Sequence, residues 1–271
     1  MLRDALAAAA MAAWPYRAAQ ATSSASGWLS LFDGRTLDGW RFHQEGVGDV
    51  DLRKVVDIED GMLRFLGPQY EHDDAPPGHL STLREWENYH LQLRFRFGEK
   101  RWSPRKLQRR NSGILYHMGH AENRLFPPCV EFQLEEGDLG DAIAIDTKAL
   151  QGPSLGGTPM WPNWIAAFPQ VYEEPVQAGS YRRQWHPGHG NFERIDDWNT
   201  VDLIAFEDQS AHLVNGRIVN TLFKLAKPDG APLTNGRIAL EFEWAEVLFT
   251  DIRIRPLSAA AIAALKRDGS D

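Results

Sequence analysis

Acidic and amide side chains alternate with apolar ones in one short stretch of the chain, and this pattern is suited to acid–base chemistry. Residues 129–135 read C-V-E-F-Q-L-E. Because successive side chains of a β-strand point to opposite faces, Glu131, Gln133 and Glu135 share one face and the apolar residues share the other. Side chains two positions apart lie roughly 6–7 Å from each other. The spacing predicts a strand that can hold a ligand between two carboxyl groups.

A solvated sheet surface is the alternative explanation, since antiparallel sheets commonly expose one face to water. Two features favour a ligand site. No lysine or arginine interrupts the acidic run, and the segment N-S-G-I-L-Y-H-M at 111–118 opens with small polar residues that leave room for a ligand. A loop rich in lysine and arginine at 99–110 leads directly into this segment and is well placed to neutralise the acids.

Catalytic roles can be assigned to two of these residues. Glu131 is the predicted general base, and His117 is a predicted acid or electrophile because the pKa of imidazole lies near neutral pH. The strand predicted at 237–243 has apolar residues at alternate positions, so Glu241 and Glu243 lie on its other face. Side-chain parity alone leaves open whether that face belongs to the same sheet as Glu131 or to the opposite sheet. The predicted substrate contacts are Asn111, Gln133, Glu135, Asp141, Trp161, Trp164, Glu241 and Glu243.

Short strands separated by turn signals make up most of the chain. The dipeptides Asp60-Gly61 and Asn215-Gly216 are typical of hairpin turns, and a clean alternation at 89–97 predicts a longer strand. Hydrophobic residues form 43% of the 271 residues, with 10 Trp and 13 Phe, which is ample for a core. Many strands and almost no helical pattern predict an all-β, antiparallel sandwich in a single domain over 28–257.

Two segments do not fit this regular pattern. Residues 146–190 are predicted to form a long irregular loop, whose aromatic residues could either contact a ligand or pin the loop by packing. A proline-rich loop at 67–78 carries a His-Asp-Asp cluster at 72–74, and His79 at its end is assigned to the same loop. The cluster could bind a metal, although an exposed loop is the favoured interpretation.

Charge and cysteine content exclude some classes of function. The net charge is −8 and the isoelectric point is about 5.6. Nucleic acid or an anionic membrane would call for a basic face, so the sequence favours a neutral ligand instead. Cys129 is the only cysteine, so an internal disulfide is excluded. We interpret it as a small buried residue rather than a nucleophile.

Both ends of the chain differ in composition from the middle. Residues 1–21 are predicted to be a signal peptide, because an alanine-rich apolar run precedes the small-residue site Ala19-Gln20-Ala21. Residues 22–27 would be a linker, and the protein would be periplasmic or secreted. Residues 258–271 are predicted to be a short helix and tail. No other segment approaches the ~20 apolar residues that span a bilayer.

Six motifs follow one another along the chain: L-F-D-G-R-T-L-D-G-W at 31–40, N-S-G-I at 111–114, V-E-F-Q-L-E-E-G-D-L-G-D at 130–141, W-N-T-V at 198–201, V-N-G-R-I-V at 214–219 and F-T-D-I-R-I-R at 249–255. In this order they resemble the 3-keto-disaccharide hydrolase family. The resemblance implies a concanavalin A-like jelly roll of two sheets, with a small carbohydrate ligand on the concave face. Family members often carry Gln and His near positions 241 and 243, so Glu241 and Glu243 are a departure.

The resemblance also implies hydrolysis of a 3-keto glycoside. In such a sugar the C3 carbonyl acidifies the proton on C2, the resulting enolate expels the C1 substituent, and water adds back. The protein must then supply a base, a group that stabilises the enolate oxygen, and an acid. A divalent metal could replace His117 as the electrophile, and the sequence identifies no other cofactor.

Two other functions remain open at this stage. Laminarinase-type hydrolases cleave glycosides with paired carboxylates, and the stretch at 131–135 has a similar layout with Gln133 at the centre, where those enzymes carry Asp. A non-catalytic carbohydrate-binding module could also use this fold. Convergent acids on the ligand-binding face favour an enzyme over a binding module.

Overall fold

Two antiparallel β-sheets pack face to face in the computed structural model, which describes residues 27–120, 124–152, 172–173 and 183–260. The predicted signal peptide, Trp161, Trp164 and most of the C-terminal tail lie outside these residues. Every strand pair of the described part is antiparallel. The prediction of an all-β, concanavalin A-like jelly-roll sandwich is confirmed.

Eighteen strands run through the described residues: β1 Leu29–Ser30, β2 Trp40–Gln44, β3 Val56–Glu59, β4 Met62–Phe65, β5 Gly78–Thr82, β6 Trp86–Glu87, β7 Tyr89–Arg101, β8 Gly113–Met118, β9 Cys129–Gln133, β10 Ala142–Ile145, β11 Lys148–Gln151, β12 Tyr172–Glu173, β13 Arg183–His186, β14 Asn199–Phe206, β15 Gln209–Val214, β16 Arg217–Ala226, β17 Asn235–Phe242 and β18 Ala245–Pro256. The first sheet has the order β11-β16-β15-β14-β7-β18-β4-β3, with β1 beside β18. The second has the order β12-β13-β10-β9-β8-β17-β5-β2, with β6 beside β17.

Alternating apolar residues build the core between the two sheets. On β9, Val130 and Phe132 are fully buried in this core, and on β17 Leu240 and Phe242 are buried with them. The long strand β7 contributes alternate residues from the opposite sheet, including Phe95. Each fully buried Leu or Phe side chain contributes roughly 1.5–3 kcal/mol of hydrophobic stabilisation. The alternation therefore fixes which face of each strand is left for the solvent or a ligand.

A smaller apolar cluster lies on the other face of the second sheet. It includes Leu115, Ala239 and Cys129, with Leu125 and Phe126 packed over them. Cys129 is free and fully buried, and burial raises the pKa of its thiol well above the ordinary value. The interpretation of Cys129 as a buried packing residue is confirmed.

Two segments predicted as loops contain strands. Within 146–190, residues 148–151 and 183–186 form β11 and β13 near one end of each sheet. His79 lies in β5 rather than in an exposed loop, and it is 4% exposed. Of the described residues only 259 and 260 are helical, and no helix there is long and apolar enough to span a membrane.

Candidate active site

A cleft of about 470 Å³ opens on the face of the second sheet that points away from the core. Its lining combines acidic, amide, cationic and aromatic side chains: Glu45, Pro77, Arg105, Arg109, Asn111, Leu125, Phe126, Gln133, Glu135, Asp138, Asp141, Ile143, Arg183, Trp185, Glu243 and Trp244. Glu131 and Glu241 lie beneath this lining, 6% and 0% exposed. A cleft of this size with a few convergent polar groups is typical of a small-ligand site.

Strand register arranges the residues of this face in three rows across the sheet. The first row is His79, Glu241, Gly113, Gln133 and Asp141. The second row is Ala239, Leu115, Glu131, Ile143 and Trp185. The third row joins Glu243 to Asn111 and ends at Glu135. Residues as far apart in sequence as the 132 positions between Asn111 and Glu243 are therefore brought into contact.

Both acidic strands predicted from the sequence contribute to the same face. The second sheet carries Glu131 and Gln133 on β9 and Glu241 on β17, all on one side. The alternation of side chains alone had left open whether Glu241 belongs to this sheet or to the opposite one. Glu243 and Asp141 join them in or beside the cleft. Among the predicted contacts, the structure also brings Asn111 and Glu135 here.

Gly113 on β8 creates the space in which two carboxyl groups meet. A Cβ atom on this residue would clash with Oε2 of Glu241 and would lie 2.8 Å from Oε1 of Glu131. The two carboxyl groups approach each other across the bare glycine backbone. No N–H or O–H of a described residue donates to either carboxyl oxygen of Glu241.

Glu131, Glu241 and Glu243 therefore form one electrostatic unit. Burial is the main cause that raises the pKa of Glu131, Glu241 and Glu243. The charge of Glu243 raises the pKa of Glu131 further, and the charge of Glu131 does the same to Glu241. Two carboxyl groups in contact in a buried site favour protonation of one of them.

Arginines at the rim balance part of this negative charge. Arg105 forms ion pairs with Glu135 and, at 3.6 Å, with Glu243. Arg109 pairs with Glu135 at 3.3 Å and with Asp138 at 2.7 Å. The prediction that the basic loop neutralises the downstream acids is confirmed. Arg183 on β13 adds a further positive charge that lowers the pKa of Glu131, Glu241 and Glu243.

Asp141 lies at the other end of the first row and is held by two donors. Its carboxylate accepts hydrogen bonds of 2.6 Å from the Gly188 backbone N–H and from Nε1–H of Trp185. Burial nevertheless raises the pKa of Asp141 to about 6, because it outweighs these two hydrogen bonds. Asp141 can therefore exchange a proton close to neutral pH, and its bond to Trp185 fixes that ring at the edge of the cleft.

Two amide side chains in the cleft carry unused acceptors. Asn111 donates through Nδ2 to Glu243, but its Oδ1 accepts no hydrogen bond from the described residues, and neither does Oε1 of Gln133. Both residues are buried. A buried acceptor without a partner costs about 1–3 kcal/mol, so these oxygens suit a ligand that brings hydroxyl groups.

His117 is not part of this cleft, which corrects the prediction that it lines the same pocket. Ala239 pairs with Leu115 and Arg237 pairs with Met118, so one extra residue bulges out of β8. His117 takes a φ of +49° at this bulge. Its ring lies in the interior, 6.2 Å from Tyr89 and 5.3 Å from Tyr116 between centroids. Burial lowers the pKa of His117 to about 3.

Several residues that the structure places in or beside the cleft were not predicted from the sequence. Arg183 and Trp185 were inside the segment treated as a loop, and His79 was assigned to a loop although it forms a cross-strand pair with Glu241. The alternation in G-H-L-S-T at 78–82 was an available signal for β5. For Arg105, only proximity to the acids in sequence pointed to a role. Within the described ranges, no group of three or more His, Cys, Asp or Glu residues could hold a metal ion.

Comparisons with known proteins agree with this architecture. A 3-keto-disaccharide hydrolase from Bacteroides thetaiotaomicron is 30% identical over 93 residues, and the match covers 34% of this chain and only 28% of that protein. The crystal structure of a candidate glycosyl hydrolase from Parabacteroides distasonis superposes with a TM-score of 0.53 at 17% identity, covering 86% of this chain and 95% of that one. This second likeness concerns the fold alone.

The family assignment rests on a match over most of the chain. The model of the 3-keto-α-glucoside-1,2-lyase-like domain matches residues 27–255. This range contains both sheets and every cleft residue described above. The chain therefore belongs to the family of 3-keto-α-glucoside-1,2-lyase-like domains.

Proposed function

We propose that this protein cleaves the glycosidic bond of a 3-keto glucoside by removing the C2 proton, eliminating the C1 substituent and adding water. The observation that supports this most directly is the group of three glutamates in and beneath the cleft, of which Glu131 and Glu241 are buried, beside Arg105 and Arg183. A carboxylate whose pKa is raised is a stronger base at neutral pH than an exposed one. The family of the chain and the name of its Bacteroides relative support the substrate class.

The proposed reaction begins at C2 of the keto sugar. The Glu131 carboxylate accepts the C2 proton, and the electron pair of the C2–H bond moves into the enolate of the C3 carbonyl. Collapse of the enolate restores the C3 carbonyl, forms a C1–C2 double bond and breaks the bond between C1 and the leaving oxygen. Glu131 then returns its proton to C2, while water adds its hydroxyl to C1 and gives its other proton to the acid that protonated the leaving oxygen. One water molecule is consumed in all, and both acids regain their starting states.

Charged residues around the cleft match the charge that develops in this reaction. The guanidinium groups of Arg105 and Arg183 would stabilise the enolate oxygen, which is the largest new negative charge. Asp141, with a pKa of about 6, would protonate the leaving oxygen. The free acceptors of Asn111 and Gln133 would bind sugar hydroxyls and hold the ring in place.

Glu243 is the competing candidate for the base, since it lines the cleft whereas Glu131 lies just beneath it. We favour Glu131 because Glu243 is already engaged by the Asn111 amide and by Arg105 at 3.6 Å. These contacts favour an ionised and less basic carboxylate. Replacing each glutamate by glutamine keeps the shape of the side chain and separates the two assignments.

The test is a turnover assay on 3-keto-trehalose, 3-keto-lactose and their unoxidised parents, with and without a chelator. We expect turnover of keto sugars only, and Glu131→Gln should reduce it by roughly 10²–10⁴-fold, the usual contribution of a general base. Glu87→Gln, a change at an exposed strand residue, is the matched control and should retain activity.

Other outcomes would contradict the proposal in distinct ways. Cleavage of the unoxidised parents would indicate a laminarinase-type hydrolase, and binding of keto sugars without cleavage would indicate a binding module. Full activity of Glu131→Gln would exclude Glu131 as the base, and a selective loss in Glu243→Gln would transfer that role to Glu243. Loss of activity with the chelator would show that a divalent metal supplies the electrophile instead of the arginines.

A further inference from the structure

The contact between Glu131 and Glu241 has a geometry that two ionised carboxylates do not satisfy. Their oxygens converge over the backbone of Gly113, where a single Cβ atom would touch both side chains. A carboxylate can only accept hydrogen bonds, so a hydrogen bond between two carboxyl groups requires a proton on one of them. Glu241 is 0% exposed and Glu131 is 6% exposed, so water offers little compensation for a second charge.

Among the described residues, no N–H or O–H group donates a hydrogen bond that would favour the ionised form of Glu241. The next acid along the chain is Glu243, directly after the end of β17, which is a like charge. The cross-strand neighbour on β5 is His79, which is uncharged at neutral pH because burial lowers its pKa to about 3. The nearby Cys129 thiol is neutral for the same reason. Arg183 on β13 is the cation that faces the pair, and it faces Glu131 as well.

Glu131 has the better environment for a negative charge. It retains slight exposure, whereas Glu241 has none. The two oxygens of Glu241 also receive no N–H or O–H donor from the described residues. Nearby, Oδ1 of Asn111 and Oε1 of Gln133 also accept no hydrogen bond from the described residues, which suits a ligand that brings hydroxyl groups.

We propose that Glu241 keeps its proton at neutral pH and donates a hydrogen bond to the Glu131 carboxylate, so that the pair carries one negative charge and Glu241 positions the base. The role in catalysis rests on the proposed function, whereas the shared proton does not. When Glu131 accepts the C2 proton, the pair becomes uncharged, which is the state that burial favours. The negative charge moves to the enolate, next to the arginines.

Substituting Glu241 by glutamine tests the shared proton without any substrate. Above about pH 5 the unfolded chain releases the Glu241 proton while the folded wild type retains it, so wild-type stability falls as pH rises through this range. Glu241→Gln has no such proton to lose. The ratio of the unfolding constants, wild type over variant, should therefore rise up to tenfold per pH unit between about pH 5 and the pKa of the pair. A ratio that stays constant from pH 5 to pH 9 would overturn the proposal.

Infrared spectroscopy gives an independent measurement of the same proton. The wild type at pH 7 should show the carbonyl band of a protonated, buried carboxyl group, and Glu241→Gln should lack it. Glu135→Gln is the control, because it removes an acid that is ion paired with two arginines. This variant should keep the carbonyl band, and the ratio of the wild-type unfolding constant to its own should not rise with pH. A wild-type spectrum without the band would refute the shared proton.

Further variants keep the test decisive if Glu241→Gln does not fold. In Glu131→Gln the new amide donates to Glu241 and allows it to ionise, so the band should disappear at neutral pH; persistence of the band would place the proton elsewhere. If the pH-dependent ratio and the band behave as expected but Glu131→Gln is fully active, the shared proton stands and the proposed function fails. If instead the ratio stays constant and the band is absent while Glu131→Gln loses activity, Glu131 is the base and Glu241 is ionised.

Discussion

Replacing Gly113 with alanine places a methyl group between the two buried carboxyl groups. The new Cβ would clash with Oε2 of Glu241 and lie 2.8 Å from Oε1 and 3.1 Å from Cγ of Glu131. Gly113 is not at a positive φ, so the backbone accepts alanine and gains about 0.4–1 kcal/mol from a less flexible unfolded chain. Overpacking in a filled site costs about 1–3 kcal/mol. The net loss of unfolding free energy should be roughly 1–2 kcal/mol.

Denaturant unfolding and turnover measure the two consequences of this change. A loss of 1 kcal/mol corresponds to a fall of about 2–4 °C in the melting temperature for a chain of this size. We also expect turnover on a keto sugar to fall, because the methyl group separates the base from its hydrogen-bond partner. The loss of stability should be smaller when Glu241 is first replaced by alanine, since the clash is then relieved.

Gly119 provides the matched control for this prediction. It follows β8 directly, and the nearest atom to a Cβ placed there is the Pro128 carbonyl oxygen at 3.6 Å, which is an ordinary contact. Gly119→Ala should raise the free energy of unfolding by about 0.4–1 kcal/mol, because it makes the unfolded chain less flexible without introducing a clash. The reasoning about the carboxyl pair would be refuted if Gly113→Ala were as stable and as active as Gly119→Ala.

Two further predictions concern His117 and the amino terminus of the chain. Because His117 lies in the interior and its ring nitrogens make no hydrogen bond with the described residues, His117→Leu should retain turnover within a few-fold. It should also reduce the loss of stability on acidification from pH 6.5, since the folded pKa of about 3 lies below the unfolded one; a large loss of turnover with intact folding would restore His117 to the mechanism. Amino-terminal sequencing of exported protein should find a start near Thr22, whereas an intact Met1 would disprove the signal peptide.

Local alternation made much of the fold predictable. The run at 89–97 forms the centre of β7, and the hairpin around Asp60-Gly61 joins β3 to β4 as expected. Alternation also determined that Glu131 and Gln133 share a face opposite Val130 and Phe132. These features depend on residues within a few positions of one another, so the period of the sequence is sufficient to predict them.

Strand pairing decided what alternation could not. Whether Glu241 lies beside Glu131 depends on β17 pairing with β8, across more than a hundred residues. The bulge that removes His117 from the cleft depends on the same pairing, because a bulge exists only where one strand has an extra residue relative to its paired strand. The approach of the Glu131 and Glu241 carboxyl groups over Gly113 likewise requires β8 to pair with β17 and with β9. The sequence by itself therefore determined which residues could form an acidic face, and the tertiary structure alone decided which acids meet, since contacts between distant strands leave no local period in the chain.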